Sequence, residues 1–375
     1  MPVSLTAWNW QLPDWPELAY QEAELEAMEA AFLHKAGIHV GAFSHLNDDE
    51  RDELRADLLS DEAFLSSKIE GEILDRDSLQ SSIRKLFGLS GDGRRVSPAE
   101  RGISELLVDV YRHFDRPLDH GTLYKWHGMV ARGRWDLETV GAYRRGNEPM
   151  RIVSGPVHEP VVHFEAPPAD RLEVEMNAFL EWFNRPARPS GGLARAGIAH
   201  LRFESIHPFE DGNGRIGRAL AEMALSQALG SPTLIALSTV LEKNRRHYYE
   251  ALGRASRTNE VTPWLGFFGR MVLEAQDHSL AQIEFLVGKA RFFDRYRGTL
   301  NTRQEKALVR MFREGLSGFT GGLSAGNYIR ITGCSPATAT RDLAELAAMG
   351  ALLKQGELKH ARYFPNLLER RAHRR

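Results

Sequence analysis

The sequence predicts a mainly α-helical protein with a β-hairpin in its middle part and a small helix-and-strand module near its C-terminal end. Apolar residues recur every three or four positions through most of the chain, which is the spacing of amphipathic helices. Short β-type runs flank turns that contain glycine or proline. Charge also divides the chain: residues 1–88 hold 18 acidic and 7 basic residues, whereas residues 301–375 hold 6 acidic and 13 basic residues. We therefore predict three domains, at residues 1–88, 98–285 and 300–375.

Composition narrows the class of protein. The chain has 375 residues, 42% of them hydrophobic, and a formal net charge of −2, which is typical of a globular protein. No apolar run is long enough to span a bilayer, so we expect no membrane partner. Residues 1–15 lack the basic start and apolar core of a signal peptide. A single cysteine, Cys334, excludes an internal disulfide framework. We expect a cytoplasmic location.

The N-terminal domain begins with an aromatic segment and continues as helices. Trp8 and Trp10 predict that this segment docks onto the core. The apolar stripe that starts at Leu18 predicts a helix that ends at Gly37. Asn47 precedes a cluster of acidic residues, which the first turn of a second helix favours.

The central domain follows a glycine-containing linker at residues 88–98. Helical spacing predicts helices at residues 103–114, 122–130 and 172–183. Between the last two, β runs at residues 151–153 and 161–164 surround Ser154, Gly155 and Pro156, which predicts a hairpin. His158 and His163 are predicted to lie on its surface.

The most informative stretch joins a predicted helix at residues 194–206 to the helix that follows. It reads His207-Pro208-Phe209-Glu210-Asp211-Gly212-Asn213-Gly214-Arg215-Ile216-Gly217-Arg218. Pro208 ends the first helix, and the position before proline favours an extended backbone at His207. Gly212 and Gly214 allow positive φ and close approach of a ligand to the main chain. Free N–H groups at the start of the second helix then form an anion site.

The side chains of this loop match the needs of a nucleotide and its metal. Arg215 and Arg218 can project from one helix face, and a guanidinium group can bind two phosphate oxygens at once. Asp211 can hold Mg²⁺, which binds one or two carboxylates plus substrate phosphates. His207 can take a proton from an attacking hydroxyl near neutral pH. The loop therefore predicts attack by a hydroxyl on a phosphate of a magnesium-bound nucleotide.

This stretch resembles the signature of Fic domains, His-Pro-Phe-x-[Asp/Glu]-Gly-Asn-Gly-Arg-x-x-Arg, at every fixed position. The resemblance implies a Fic-type helical bundle that moves AMP from ATP to a Ser, Thr or Tyr hydroxyl of a protein. It implies that His207 is the general base, that Asp211 holds Mg²⁺ at the α and β phosphates, and that Arg215 and Arg218 neutralise the outer phosphates. Pro208, Phe209 and Asn213 belong to the same nucleotide site, and the amides of Gly212 to Gly214 cradle phosphate. The related Doc kinases carry lysine where Gly214 stands, so AMP transfer is favoured over phosphorylation.

A second segment completes the resemblance. Ser66, Glu70 and Gly71 match the family's inhibitory pattern, [Ser/Thr]-x-x-x-Glu-[Gly/Asn], which here lies on the N-terminal side of the signature. The resemblance implies that Glu70 pairs with Arg218 where the γ-phosphate of ATP would lie, so that ATP is held unproductively. Without the signature, the segment would be interpreted as a solvated helix face.

The resemblance also assigns partners. It implies that residues 150–164 form a flap that binds an extended target segment by strand pairing. It places Asn244 and Tyr249 near the nucleotide, and it suggests a homodimer. Beyond the Fic-like region, helices at residues 304–314, 323–329 and 337–349 and a β wing resemble a winged helix-turn-helix. Its third helix lacks a base-reading face, so dimerisation or target docking is favoured over DNA.

The resulting hypothesis is an autoinhibited protein adenylyltransferase that uses ATP and Mg²⁺ and also modifies itself. Three alternatives stay open. The protein could remove AMP from targets, with Glu70 and His207 catalytic; it could be a nucleotide-sensing DNA-binding regulator; or it could transfer phosphate.

Overall fold

Helices form nearly all of the regular structure, as the sequence predicts. The computed structural model describes residues 7–44, 46–90, 93–154, 161–186, 191–319 and 321–367. The helices are α1 Glu22–Ser44, α2 Asp48–Ile69, α3 Arg76–Leu86, α4 Pro98–His113, α5 His120–Val130, α6 Leu172–Phe183, α7 Gly192–Ile206, α8 Asn213–Leu229, α9 Leu237–Lys243, α10 Arg245–Ala255, α11 Thr262–Arg295, α12 Thr302–Phe312, α13 Ala325–Thr332 and α14 Pro336–Ala348. The strands are β1 Arg151–Ser154, β2 Val161–Glu165, β3 Leu352–Gln355 and β4 Arg362–Pro365. The chain folds into two compact units, residues 1–279 and 280–375; the division into three domains stays a prediction.

Helix starts follow from local chemistry. Asn47 and Glu50 form a capping box at the start of α2, and each satisfies a backbone N–H group of the other. Ser97 and Glu100 do the same for α4, with Pro98 in its first turn. The predicted end of the first helix at Gly37 is wrong, because α1 continues to Ser44. Buried His39 lies within the extra turns and hydrogen-bonds the carbonyl of Gln276 on α11 at 2.8 Å, so tertiary contacts outweigh the glycine.

The centre of the first unit is α7, which is buried along almost its whole length. Gly197 lets α11 approach it, since a Cβ there would come within 2.6 Å of Leu265. The aromatic N-terminal segment docks onto this core as predicted. The side chain of Asn9 donates to Ser205 Oγ on α7 at 2.8 Å, and Trp10 Nε1 donates to the carbonyl of Glu165 on β2 at 2.7 Å.

The predicted hairpin is present as β1 and β2, which pair antiparallel with an irregularity between Ile152 and Val153. Apolar residues of both strands are solvent-exposed: Ile152 and Val153 on β1, and Val161 and Val162 on β2. Ser154 ends β1, while Gly155, Pro156 and His158 lie outside the described residues. His163 is exposed on β2, as expected.

The second unit has its own core. Helices α12, α13 and α14 and the antiparallel pair β3–β4 follow one another in the predicted order, around Phe292, Leu308, Tyr328 and Leu343. Asp342 is buried on α14, where it accepts hydrogen bonds from Arg303 Nε and Tyr328 Oη, each at 2.9 Å. None of the helices in the described ranges is both long and apolar enough to cross a membrane.

Candidate active site

His207 caps α7 in a left-handed conformation, with φ 49° and ψ 59°. The predicted extended backbone is therefore wrong at this position. Contacts on both sides hold the left-handed geometry: His207 N–H donates to the carbonyl of Phe203 at 2.9 Å, and its own carbonyl accepts from Arg144 Nε at 2.9 Å. Strained backbone of this kind persists only where surrounding contacts fix it, and it turns the imidazole out of the helical path.

The loop after His207 is built around two buried side chains. The amide of Asn213 accepts from Phe209 N–H at 3.0 Å and donates to the carbonyl of Phe209 at 2.8 Å. The ring of Phe209 stacks on His127, with centroids 4.2 Å apart, and the carbonyl of Pro208 accepts from Arg144 N–H at 2.9 Å. Gly212, at φ 83°, then begins α8. The first-turn N–H groups of α8 have no acceptors within the helix, so the loop presents them to a ligand.

Arg218 on α8 is buried and held by the end of α2. Its Nη1 lies 2.7 Å from Glu70 Oε1, its Nε donates to Ser66 Oγ at 2.9 Å, and its Nη2 donates to the carbonyl of Ser66 at 2.9 Å. Gly71 follows Glu70 at φ 84°, where the chain turns away. A Cβ at Gly214 would overlap the Glu70 carboxylate, which therefore rests against the first turn of α8. The structure thus brings together the residues that the resemblance paired.

A second carboxylate from the same turn was not foreseen. Glu72 Oε2 lies 2.6 Å from Arg215 Nη1, and Arg215 Nη2 lies 3.3 Å from Asp211 Oδ2. Asp211 also pairs with Arg134, which in turn pairs with Asp136 at 2.6 Å. Both arginines of the signature are therefore held by carboxylates. The only sequence signal for this contact was that Glu72 follows Glu70 by two residues.

Burial controls the protonation of the site. Desolvation and the nearby charge of Arg144 lower the pKa of His207 to about 4, so its imidazole is neutral at pH 7. Burial raises the pKa of Asp211, but Arg215, the Gly212 N–H group and Arg134 together bring it below its usual value. Glu204, one turn before His207, was also missed. Burial and the charge of Glu70 raise its pKa to about 8, although the positive charge of Arg218 acts in the opposite direction.

Tyr249 and Asn244, which were predicted to lie near the nucleotide, have different surroundings in the structure. Tyr249 lies beside the end of α2, and its Oη donates to the carbonyl of Ile69 at 3.3 Å. Asn244 turns back on its own backbone, where Nδ2 donates to the carbonyl of Val240 at 2.9 Å. Tyr248, which was not singled out, is fully buried and hydrogen-bonds His200 Nε2 at 2.7 Å.

The residues present fit a magnesium ion that a nucleotide brings with it. Among the described residues, no group of three or more His, Cys, Asp or Glu side chains is arranged to hold a metal. Mg²⁺ bound with phosphates needs only one or two carboxylates, and Asp211 supplies one. Two guanidinium groups, those of Arg134 and Arg215, already contact this carboxylate, so it attracts positive charge in this structure.

Two stretches of the chain match family models: residues 8–89 match a domain of unknown function (DUF4172), and residues 117–225 match the Fic/DOC family. A protein adenylyltransferase Fic of Nematostella vectensis is 33% identical over 117 residues, which are 31% of this chain and 26% of that protein. A protein adenylyltransferase Fic of Aedes aegypti is 33% identical over 106 residues, 28% of this chain and 20% of that protein. The chain thus spans about a quarter of the length of these curated relatives.

The fold has a counterpart among solved structures. A Fic family protein from Desulfovibrio desulfuricans G20 superposes with a TM-score of 0.51 at 22% identity, over 90% of this chain and 95% of that one. This likeness confirms the predicted mainly α-helical, Fic-type fold. The family model places a Fic/DOC family domain at residues 117–225 of this fold.

Proposed function

We propose that this protein is an autoinhibited protein adenylyltransferase, which transfers AMP from ATP to a hydroxyl group of a target protein. The observation that best supports this function is that the buried, neutral imidazole of His207 lies beside the N-terminus of α8, where carboxylates hold both signature arginines. The names of the curated relatives support the reaction class.

In the proposed reaction, the target hydroxyl oxygen attacks the α-phosphorus of ATP. A new P–O bond forms, the bond from the α-phosphorus to the bridging oxygen breaks, and pyrophosphate leaves. His207 accepts the hydroxyl proton at Nε2, because Nδ1 faces Glu204. Binding of a polyanion beside the imidazole would raise its pKa from about 4 and make it a stronger base.

Groups of the protein itself stabilise the negative charge of the phosphates in the proposed reaction. Arg215, Arg218 and the first-turn amides of α8 can contact the outer phosphates. Asp211 would hold Mg²⁺ when ATP is bound, and this ion would neutralise charge on the phosphates. Tyr249 and Asn244 are proposed to border the nucleotide, and Asn244 Nδ2 would then have to leave the carbonyl of Val240 to reach it.

We propose that the protein is inhibited because the Glu70 carboxylate and the γ-phosphate of ATP compete for the positive charge of Arg218. Arg218 already has Glu70 and two acceptors on Ser66, so a γ-phosphate must displace a carboxylate to reach it. Gly71 turns the chain so that Glu70 faces the helix start. Basal activity should therefore be low and should rise when Glu70 is removed.

The target is proposed to bind along the flap at residues 150–164. The exposed edge of the hairpin can pair with an extended segment of a partner, and its exposed valines offer apolar contact. A homodimer and a cytoplasmic location remain predictions from the sequence, and DNA remains the less favoured partner of the C-terminal module.

AMP transfer from ATP labelled at the α-phosphate, onto the protein itself and onto a cell lysate, tests the proposal. Wild type, Glu70→Gly, His207→Ala and the double variant should be compared. We expect label to increase at least tenfold in Glu70→Gly and to vanish in the double variant, in line with the ~10²–10⁴-fold contribution of a positioned base. Absence of label in every variant despite ATP binding would refute the transferase and favour AMP removal or nucleotide sensing.

A further inference from the structure

A buried carboxyl group lies behind the proposed base and has no place in the reaction described above. Glu204 lies in the last turn of α7, three residues before His207, which caps that helix. Glu204 Oε2 is 3.8 Å from His207 Nδ1, and both residues are buried. A hydrogen bond between a carboxyl group and an imidazole is stronger in a site shielded from water than in water.

Unsatisfied atoms mark the same place. Within the described residues, His207 Nδ1 is buried without a hydrogen-bond partner, and so are Glu204 Oε1 and His200 Nδ1, which both border Gly217. An unpaired buried polar atom is costly, so such atoms in a native protein call for a role. The main-chain carbonyl of Glu204 is the other acceptor that faces the His207 ring.

Groups from α8, α10 and the end of α2 surround the carboxyl group. Gly217 on α8 leaves room for it, since a Cβ there would lie 3.0 Å from Glu204 Oε1 and 3.0 Å from His200 Nδ1. The charged and titratable groups that face Glu204 are His200 on α7, His207 at its end, Arg218 on α8, Glu70 at the end of α2, and Tyr248 and Tyr249 on α10.

We propose that Glu204 is a positioning residue for His207: its carboxyl group accepts a hydrogen bond from Nδ1–H and so keeps the lone pair on Nε2 for the target hydroxyl. The inference rests on the function proposed above and adds a residue to its machinery. Glu204 Oε2 and His207 Nδ1 are 3.8 Å apart in this structure, so the hydrogen bond requires the two side chains to approach to about 3.2 Å or less. Because burial raises the pKa of Glu204 to about 8, the group is mostly protonated at pH 7, and its carbonyl oxygen still accepts a hydrogen bond.

The role has a direct chemical consequence. A neutral imidazole has one N–H group, and a base that works at Nε2 must carry that hydrogen on Nδ1. Once Nε2 has taken the proton, the ring is an imidazolium ion, and a carboxyl group at Nδ1 stabilises that charge. Loss of the carboxyl group should therefore affect the rate of the chemical step more than the binding of ATP.

The first test does not depend on AMP transfer. Nitrogen NMR of full-length protein with labelled histidine reports which ring nitrogen carries the hydrogen, and His207→Ala identifies the signal of His207. We expect the Nδ1–H form in wild type and in Glu204→Gln, whose amide oxygen can still accept. In Glu204→Met, which is similar in length but has no acceptor, we expect a large share of the Nε2–H form. An unchanged His207 spectrum in Glu204→Met would overturn the proposal and assign the role to the main-chain carbonyl.

A second variant guards against a folding defect in Glu204→Met. Gly217→Ala leaves the chemistry of Glu204 intact and crowds its carboxyl group, because the new methyl group would lie 3.0 Å from Oε1 and 3.0 Å from His200 Nδ1. It should change the balance of the Nδ1–H and Nε2–H forms in the His207 spectrum. A well-folded Gly217→Ala protein with the wild-type signal would also contradict the proposal.

The kinetic test uses the Glu70→Gly background. There Glu204→Met should lower kcat by up to about 100-fold, part of the ~10²–10⁴-fold that a positioned base contributes, while KM for ATP stays the same and Glu204→Gln retains most of the activity. A rise in KM without a fall in kcat would overturn the role. If no variant transfers AMP, the proposed function fails, and the NMR result still decides whether Glu204 orients His207.

Discussion

Replacement of Glu72 by glutamine should tighten the binding of Mg·ATP. Glu72 holds Arg215 at 2.6 Å, and Arg215 is one of two arginines that we expect to contact the outer phosphates. ATP must therefore displace the Glu72 carboxylate before Arg215 becomes available. Glutamine keeps the size of the side chain and removes its charge, so the competition weakens while the packing stays.

The structure sets the size of the effect. Two unit charges about 4 Å apart attract by about 4 kcal/mol at an effective dielectric constant of about 20. The side chain of Arg215 is 5% exposed, but that of Glu72 is 31% exposed, so solvent screening and side-chain entropy offset much of this attraction. A net value of about 1–2 kcal/mol remains, which corresponds to roughly 5- to 30-fold tighter binding of ATP.

Isothermal titration calorimetry with Mg·ATP on the full chain measures this change. Asp52→Asn is a matched control, because Asp52 lies on α2, pairs with Arg55 at 2.6 Å and is also 31% exposed. The control should bind ATP with nearly wild-type affinity. Unchanged or weaker binding in Glu72→Gln, or equal tightening in both variants, would refute the argument that Glu72 competes with phosphate at Arg215.

Three further predictions concern stability. Gly102→Ala should lower the free energy of unfolding by about 1–3 kcal/mol in thermal unfolding, because the new Cβ would overlap the carbonyl of Met129. Gly128→Ala is the control: this glycine has open space around it, so the change should be neutral or stabilising. Equal melting temperatures would contradict the close packing of α4 on α5. Burial lowers the pKa of His200 to about 3, so below pH 6.5 the unfolded chain binds a proton that the folded chain does not bind. From pH 7 to pH 5, the free energy of unfolding measured in urea should therefore fall by about 2 kcal/mol more in wild type than in His200→Gln. Equal decreases in the two proteins would disprove this prediction. Asp342→Asn should speed hydrogen exchange in α14, since it weakens the hydrogen bonds that Tyr328 Oη and the partly exposed Arg303 donate to a buried carboxylate, and wild-type exchange would show that these contacts add no stability.

The signature loop could be predicted from sequence because its geometry is local. Gly212 takes the positive φ that a glycine permits, and Asn213 bonds to Phe209 only four residues away. Local rules fail where distant contacts decide the backbone. The preference of a residue before proline did not hold at His207, because Arg144, 63 residues away in the chain, fixes its carbonyl. Similarly, Gly37 did not end α1.

Long-range pairs lie beyond composition and periodicity. Glu70 and Arg218 are 148 residues apart, and only the family resemblance suggested that they meet. Glu72 and Arg215 are 143 residues apart and fall outside the inhibitory pattern, so they were missed. Glu204 was missed for another reason, since a glutamate in a helix is usually solvated and only the fold shows that this one is buried.

The two inhibitory contacts, as proposed, can open together by movement of one short turn. Glu70 and Glu72 both lie between α2 and α3, so displacement of the chain around Gly71 releases both carboxylates from the arginines at once. The helix before this turn is firmly held, because Ser238 on α9 donates from its N–H group to the buried carboxyl group of Glu62 on α2 at 2.8 Å. Pulling α2 out would expose that carboxyl group and the apolar face around it, whereas opening the turn breaks two partly exposed ion pairs. Local opening of low cost is the usual route by which a protein frees a binding site, so ATP should compete with the turn alone while α2 stays in place.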